Sequence, residues 1–192
     1  MLRLIRAAPE RVRISIDPNV RPAFLAQEGA AARLRPFFEA ADLVKLSDED
    51  AAYLYPGETA DAVLDRLLEF GVGIAALTRG GEGAMLATGT SRVEVGALAP
   101  PVEDTVGAGD SFMAGLLDAI AALGRDGWAP DARQLAAIAD HAARASAITV
   151  GRAGADLPWR SELPELDPRC PELDPPCPAV DRRCPAVGSP CP

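Results

Sequence analysis

Three observations predict an α/β fold with a mostly parallel sheet flanked by helices. Short apolar runs rich in β-branched residues alternate with longer segments of helical period, no segment repeats, and a glycine-containing loop leads into the longest apolar stretch. The 192 residues carry 48% hydrophobic residues, enough for one domain with a buried core and a tail.

Taken in order, Val12 to Ile16 alternates as a strand does and stops at Asp17-Pro18-Asn19, a turn sequence. Ala23 to Ala40 reads as helix, with breaks expected at Gly29 and Pro36. Asp42 to Leu46 is a short buried strand, after which Ser47 caps a helix whose first turn holds Asp48, Glu49 and Asp50, favourable to the helix dipole. Pro56-Gly57 ends it. Thr59 opens a second helix in which Ala60, Val63, Leu64, Leu67 and Leu68 keep a 3.6-residue period up to Gly71. Gly73 to Thr78 is an apolar strand. Gly80 to Gly83 turns the chain into Ala84 to Thr88 and Arg92 to Leu98, expected as hairpin partners. Phe112 to Leu123 and Asp131 to Ile148 complete the pattern as helices, and Gly151 to Ala155 follows as a loop. Ligands of such sheets gather at the carboxyl ends of the strands. That edge would hold Asp17, Asn19, Ser47, the 78–83 turn and the Gly107 loop.

Composition narrows the function classes. The 28 acidic residues outnumber the 19 basic ones, a balance of -9 that argues against a nucleic-acid surface, which needs clustered Lys and Arg. No run reaches the ~18 apolar residues of a membrane span, and residues 1–8 lack the apolar stretch of a secretory signal. A soluble, cytoplasmic protein without a membrane partner is expected. With His141 as its one histidine, the chain is a poor source of His-based zinc sites and of a Ser-His-Asp triad.

The last 32 residues stand apart. Cys170, Cys177, Cys184 and Cys191 lie seven apart, each followed by proline, and nine of the 18 prolines fall in 161–192. Proline at that density removes amide donors and fixes φ, so the segment is expected to be extended or disordered, forming neither helix nor ladder. Thiolates are soft metal ligands, yet this spacing is not that of a zinc knuckle; the plainer reading is a solvated low-complexity extension with reduced thiols. The expected division is therefore 1–160 folded and 161–192 tail.

The segment Asp104 to Asp110 carries the chemistry. Glycines around an alanine at a helix start leave successive backbone amides free, so Gly107, Ala108 and Gly109 can form an anion hole. Asp110, next in line, is placed to take a proton from a hydroxyl attacking phosphorus. The competing reading is a glycine turn in which Asp110 only favours the helix dipole. No Lys-Ser or Lys-Thr follows the glycines, which excludes a Walker A loop.

DTVGAGDSFMAGLL, residues 104–117, resembles the C-terminal signature of the PfkB (ribokinase-like) carbohydrate kinases. DPNVRP (17–22), KLSDED (45–50), TRGGEGAM (78–85) and AITVGRAGADLPW (147–159) follow the same family in the same order. The resemblance covers about 11–159, and its wording is most similar to bacterial fructokinases, with 2-keto-3-deoxygluconate kinases close behind.

The resemblance implies a ribokinase-like fold and ATP-dependent phosphorylation of a sugar hydroxyl, fructose before ketodeoxygluconate or ribose. Asp110 would be the base, and the amides of Gly107, Ala108 and Gly109 the anion hole. Thr78, Gly80, Gly81 and Gly83 would line the nucleotide. Ser47 to Asp50 matches the element that organises Mg²⁺ and phosphates, with Ser47 in place of Asn and Asp50 in place of Glu. Asn19 and Arg21 would face phosphate or sugar, or serve only as turn residue and surface charge. Asp104 and the carbonyls of Val106, Thr149 and Gly154 match the positions that hold a monovalent cation, usually K⁺. Family members begin with a longer N-terminal region bearing a glycine-rich signature, sugar contacts and a β lid, which does not precede Arg11 here. A homodimer, or a partner supplying that half, is one expectation; an inactive fragment or an ATP-binding module is the alternative to a working kinase. An acid–base hydrolase fits least, because Asp110 has no second carboxylate at a motif position.

Overall fold

The structure, a computed structural model, describes residues 2–7, 12–21, 23, 26, 28–98 and 101–166, the side chain of Arg6 excepted. The cysteine readings and most of the tail expected over 161–192 lie outside the described residues. In chain order the elements are α1 (Leu2–Arg6), β1 (Ser15–Ile16), α2 (Ala30–Phe38), β2 (Leu43–Ser47), α3 (Asp48–Leu54) and α4 (Ala60–Glu69). They continue with β3 (Ile74–Thr78), β4 (Ala84–Ala87), β5 (Arg92–Val95), α5 (Ala108–Ala122) and α6 (Ala132–Val150).

The five strands form one sheet in sequential order. β1, β2 and β3 run parallel, with Ile16 opposite Val44 and Ser47 opposite Thr78. The parallel reading holds there. β4 and β5 form the expected antiparallel hairpin, and β4 also lies antiparallel to β3, which makes the sheet mixed.

Period-two alternation divides the apolar strand residues between two faces. Val44, Leu46, Ala75 and Leu77 meet α2, α3 and α4 in a cluster with Phe38, Leu54, Val63, Leu64 and Leu67. Leu43, Ile74, Ala76 and Leu86 meet α5 and α6 through Phe112, Leu116, Ile120, Leu135 and Ile138. Covering both faces is what lets β2 and β3 be apolar along nearly their whole length.

Several local expectations change. Pro36 does not break a helix: α2 begins after Gly29, whose φ of 72° starts it, and continues through Pro36 to Phe38. The ring costs one i→i−4 bond only two residues before the helix ends. β1 is shorter than the five residues expected, because Asp42 intervenes in the ladder. Its Oδ2 accepts the Ile14 N–H at 2.8 Å, and its Oδ1 accepts from Arg13 at 2.6 Å. α5 starts four residues earlier than expected, so Asp110 lies inside its first turn. Past residue 160, Arg160–Glu162 makes a single 3₁₀ turn, Arg152 pairs with Glu162, and Leu166 packs against the α5–α6 side of the core. The stretch to Leu166 thus packs and turns where neither was expected.

Gly115 sets the approach of α5 to α6, since a Cβ there would lie 2.8 Å from Ala142 Cα. That neighbour is backbone and cannot swing aside. Gly115→Ala is expected to cost about 1–3 kcal/mol, the usual penalty of overpacking, read as a lower urea midpoint at constant m. An unchanged midpoint would show slack between the two helices.

Candidate active site

The ends of the three parallel strands bring Asp17, Ser47 and Thr78 to one edge, and the N-terminus of α5 arrives over the same edge. The alternation that buries Leu43 against α5 puts Lys45 on that face as well, two residues nearer the strand end. Lys45 is only 4% exposed. Its Nζ donates to Asp17 Oδ2 at 2.8 Å, and a Cβ built on Gly109 would lie 2.9 Å from it. A buried ammonium group therefore lies beneath the first turn of a 15-residue helix.

At that helix start Gly107 is the N-cap, with φ 81°. Among the described residues the amides of Gly107, Gly109 and Asp110 have no hydrogen-bond partner, while that of Ala108 donates to the Thr105 carbonyl at 3.2 Å. The anion hole expected from Gly107, Ala108 and Gly109 thus has the Ala108 amide already engaged and the Asp110 amide added. Gly109 has ordinary helical φ, so its lack of a side chain answers to Lys45 and not to backbone strain. Asp110 is exposed beside these amides, and the next residue, Ser111, is buried with Oγ 2.5 Å from Thr149 Oγ1.

Asp50 is spent on the backbone. Its Oδ1 accepts the Val20 N–H at 2.7 Å, and its Oδ2 accepts the Ser47 N–H at 3.1 Å, closing a capping box with Ser47. At 5% exposure, with each oxygen already accepting a backbone N–H, it is not presented as a direct ligand for Mg²⁺, which leaves the contact through water expected of this shorter acid. Among the described residues no three His, Cys, Asp or Glu side chains cluster as metal ligands. The tie to Val20 holds the turn that carries Asn19 and Arg21, both exposed, and Asn19 has φ 42°, unusual outside glycine.

Asp104 also holds two segments together. Its Oδ1 accepts the Val106 N–H at 3.0 Å and its Oδ2 the Gly154 N–H at 3.1 Å. These bonds, that of Val106 above all, hold its carboxyl below the usual range. Three of the four expected cation positions, Asp104, Val106 and Gly154, therefore meet. Thr149 turns its hydroxyl inward to Ser111, and its carbonyl accepts the Arg152 N–H at 3.0 Å. Asp104, Val106 and Gly154 meet through amide N–H groups and not through the carbonyls expected to hold a cation; the Gly154 carbonyl accepts the Asp156 N–H at 2.9 Å.

The 78–83 turn is a 3₁₀ turn over Gly80–Glu82, closed by the Arg79 N–H donating to the Gly83 carbonyl at 2.7 Å. Gly80 (φ 52°) and Gly83 (φ 91°) are left-handed, and Thr78 stands beside Ser47 in the ladder. Sequence reasoning did not single out Lys45 as a candidate site residue. The available signal was a lone charge in an apolar strand.

The chain belongs to the pfkB family carbohydrate kinases, whose model matches residues 1–162. It is 40% identical over 115 residues to a fructokinase of Rhizobium leguminosarum bv. trifolii, covering 59% of this chain and 35% of that protein. A fructokinase of Escherichia coli is 31% identical over 154 residues, 78% of this chain and 49% of that one. Among solved structures, a double-mutant fructokinase of Vibrio cholerae O395 with fructose, ADP and potassium ion bound is 27% identical, with TM-score 0.65 over 74% of this chain and 46% of that chain. Aminoimidazole riboside kinase of Salmonella enterica, complexed with its riboside and an ATP analog, gives TM-score 0.66 at 25% identity, over 80% and 50% of the two chains. The chain spans between a third and a half of the length of these relatives. The fold is ribokinase-like.

Two tests follow from the tied carboxylates. Asp50→Ala leaves the amides of Val20 and Ser47 without acceptors, at about 1–3 kcal/mol for each that water does not reach, so chemical denaturation should show a loss in that range. No loss would mean that water replaces the carboxylate at both. The Asp104 carboxyl is depressed on folding, so its stabilisation is complete above the ordinary carboxylate pKa and fades as pH falls through its own lower value. Asp104→Asn should flatten the acid limb of the melting temperature against pH; an unchanged limb removes Asp104 from that titration.

Proposed function

We propose that the chain carries the phosphoryl-transfer half of an ATP-dependent sugar kinase acting on fructose. The observation that carries this reading is the pairing of unengaged amides at Gly107, Gly109 and Asp110 with an exposed carboxylate on the same helical turn. Amides aimed along a helix axis stabilise the negative charge that spreads over the transferring group, and the adjacent carboxylate takes the proton of the attacking hydroxyl. Lys45 adds a positive charge below the same amides.

Ser47, Thr78, Gly80, Gly81 and Gly83 form the nucleotide side of the edge, the glycines permitting close approach of phosphate and ribose. Asn19 and Arg21, on the turn tied by Asp50, face phosphate or sugar. The resemblance assigns a monovalent cation to Asp104 and the carbonyls of Val106, Thr149 and Gly154; the Thr149 and Gly154 carbonyls already accept the N–H groups of Arg152 and Asp156, so a cation would have to share them. The similarity to fructokinases, one of them solved with fructose, ADP and potassium ion, supports the substrates assigned.

ADP release by the 192-residue chain with fructose, ribose or ketodeoxygluconate tests the reading. Fructose should give the highest kcat/KM. In the same assay Asp110→Asn should lower kcat by ~10²–10⁴, the usual contribution of a positioned base, with ATP affinity within a few fold. Near-normal turnover in that variant would reduce Asp110 to a helix-start residue. ATP binding without sugar-dependent ADP release would leave a nucleotide-binding module in place of a kinase.

A further inference from the structure

Lys45 sits in a position that the anion-hole reading alone does not explain. An ammonium group has three N–H donors, and among the described residues Asp17 is the one acceptor it meets, at 2.8 Å. Asp17 is no better satisfied: its Oδ1 is buried and has no hydrogen-bond partner. Two donors and one carboxylate oxygen are thus left unmatched in a place with little access to water, an arrangement that costs stability unless something else completes it. Lys45 Nζ lies 2.9 Å from where a Cβ of Gly109 would stand, in the same helical turn as the unengaged amides.

We propose that Asp17 is a resident competitor for the cation of the anion hole: it holds Lys45 under Gly109 and yields it to an incoming phosphate. The inference rests on the anion-hole reading above and adds a partner exchange to it. Phosphate oxygens offer Lys45 several acceptors where Asp17 offers one, and they meet the helix amides at the same time. The exchange frees Asp17, which begins the turn 17–20. That turn is otherwise tied at its far end by the bond from the Val20 N–H to Asp50. Occupation of the anion hole is thereby felt at Asn19 and Arg21. In this scheme Asp17 is a positioning residue, since it acts through Lys45.

A competitor has a signature that a structural ion pair lacks: weakening it tightens the ligand. Calorimetry with inorganic tripolyphosphate, and separately with ATP, on the full chain reads this directly. Lys45→Met should weaken tripolyphosphate by ~10–100-fold, the range of a lost charge-assisted hydrogen bond, while Lys45→Arg stays within about fivefold. Asp17→Asn should bind it about 3–10-fold more tightly, as expected when a charged rival becomes neutral. The double variant Asp17→Asn with Lys45→Met should match Lys45→Met alone, because without the lysine there is nothing to compete for.

Equal or weaker binding by folded Asp17→Asn overturns the proposal. The double variant decides it a second way: if Asp17→Asn with Lys45→Met binds tripolyphosphate more tightly than Lys45→Met alone, Asp17 acts by its own charge and not through Lys45, and the proposal is overturned. If the wild type binds ATP and these results fail, the anion-hole reading stands and the exchange does not. If the wild type binds neither ATP nor tripolyphosphate, both fall.

Discussion

The packing of α5 along the sheet decides where the polar groups of this protein can act. Phe112, Leu116 and Ile120 lie on the face formed by Leu43, Ile74 and Leu86, and α6 closes the layer from outside. Once those contacts are made, the axis of α5 points its N-terminus at the ends of the parallel strands. Residues 107–110 then stand over Lys45 as a consequence of apolar burial elsewhere. The helix needs no polar anchor of its own at that end, which is why its amides remain available.

Carboxylates do the complementary work of holding loops. Asp42, Asp50 and Asp104 each accept a backbone N–H from a segment that is distant in sequence: Ile14, Val20 and Gly154 respectively. None of these segments is in a helix interior, and two of them carry candidate ligand contacts. The acidic excess of the chain is thus partly internal, used as hydrogen-bond acceptors for backbone that no ladder reaches.

Much of this was legible before any coordinates. The helices expected over 59–71, 112–123 and 131–148 and the strands over 42–46 and 73–78 follow from periodicity and length and were found with shifted ends, the start of α5 by four residues, and the GAG loop with Asp110 follows from its glycines. What stayed hidden depended on contacts across the sheet. Alternation alone says that Lys45 shares a face with Leu43, but only the fold says that the start of α5 covers that face. Asp50 reads as an acid in the first turn of a helix, and nothing local shows that Val20 folds back to take its second oxygen. Pro36 reads as a breaker because its ring forbids one bond, yet a helix two residues from its end loses little by it. Asp104 was legible as an important acid, whereas the amides of Val106 and Gly154 that it binds are fixed only once the 151–155 loop is in place.

The three glycines of the 78–83 turn looked equivalent as a nucleotide-facing motif, and the geometry separates them by how much variation each could tolerate. Gly81 has an ordinary backbone and open space around it, so a side chain there meets no obstacle from the fold. Gly80 is left-handed but uncrowded, a position that asparagine or aspartate can fill at modest cost. At Gly83 a Cβ would fall 2.0 Å from the Val95 carbonyl oxygen, with Gly96 and Ala97 close behind, all of them backbone. A random library across this turn would therefore return many residues at 81, few at 80 and glycine alone at 83, and the last constraint would come from the neighbouring hairpin strand, whatever ligand the turn receives.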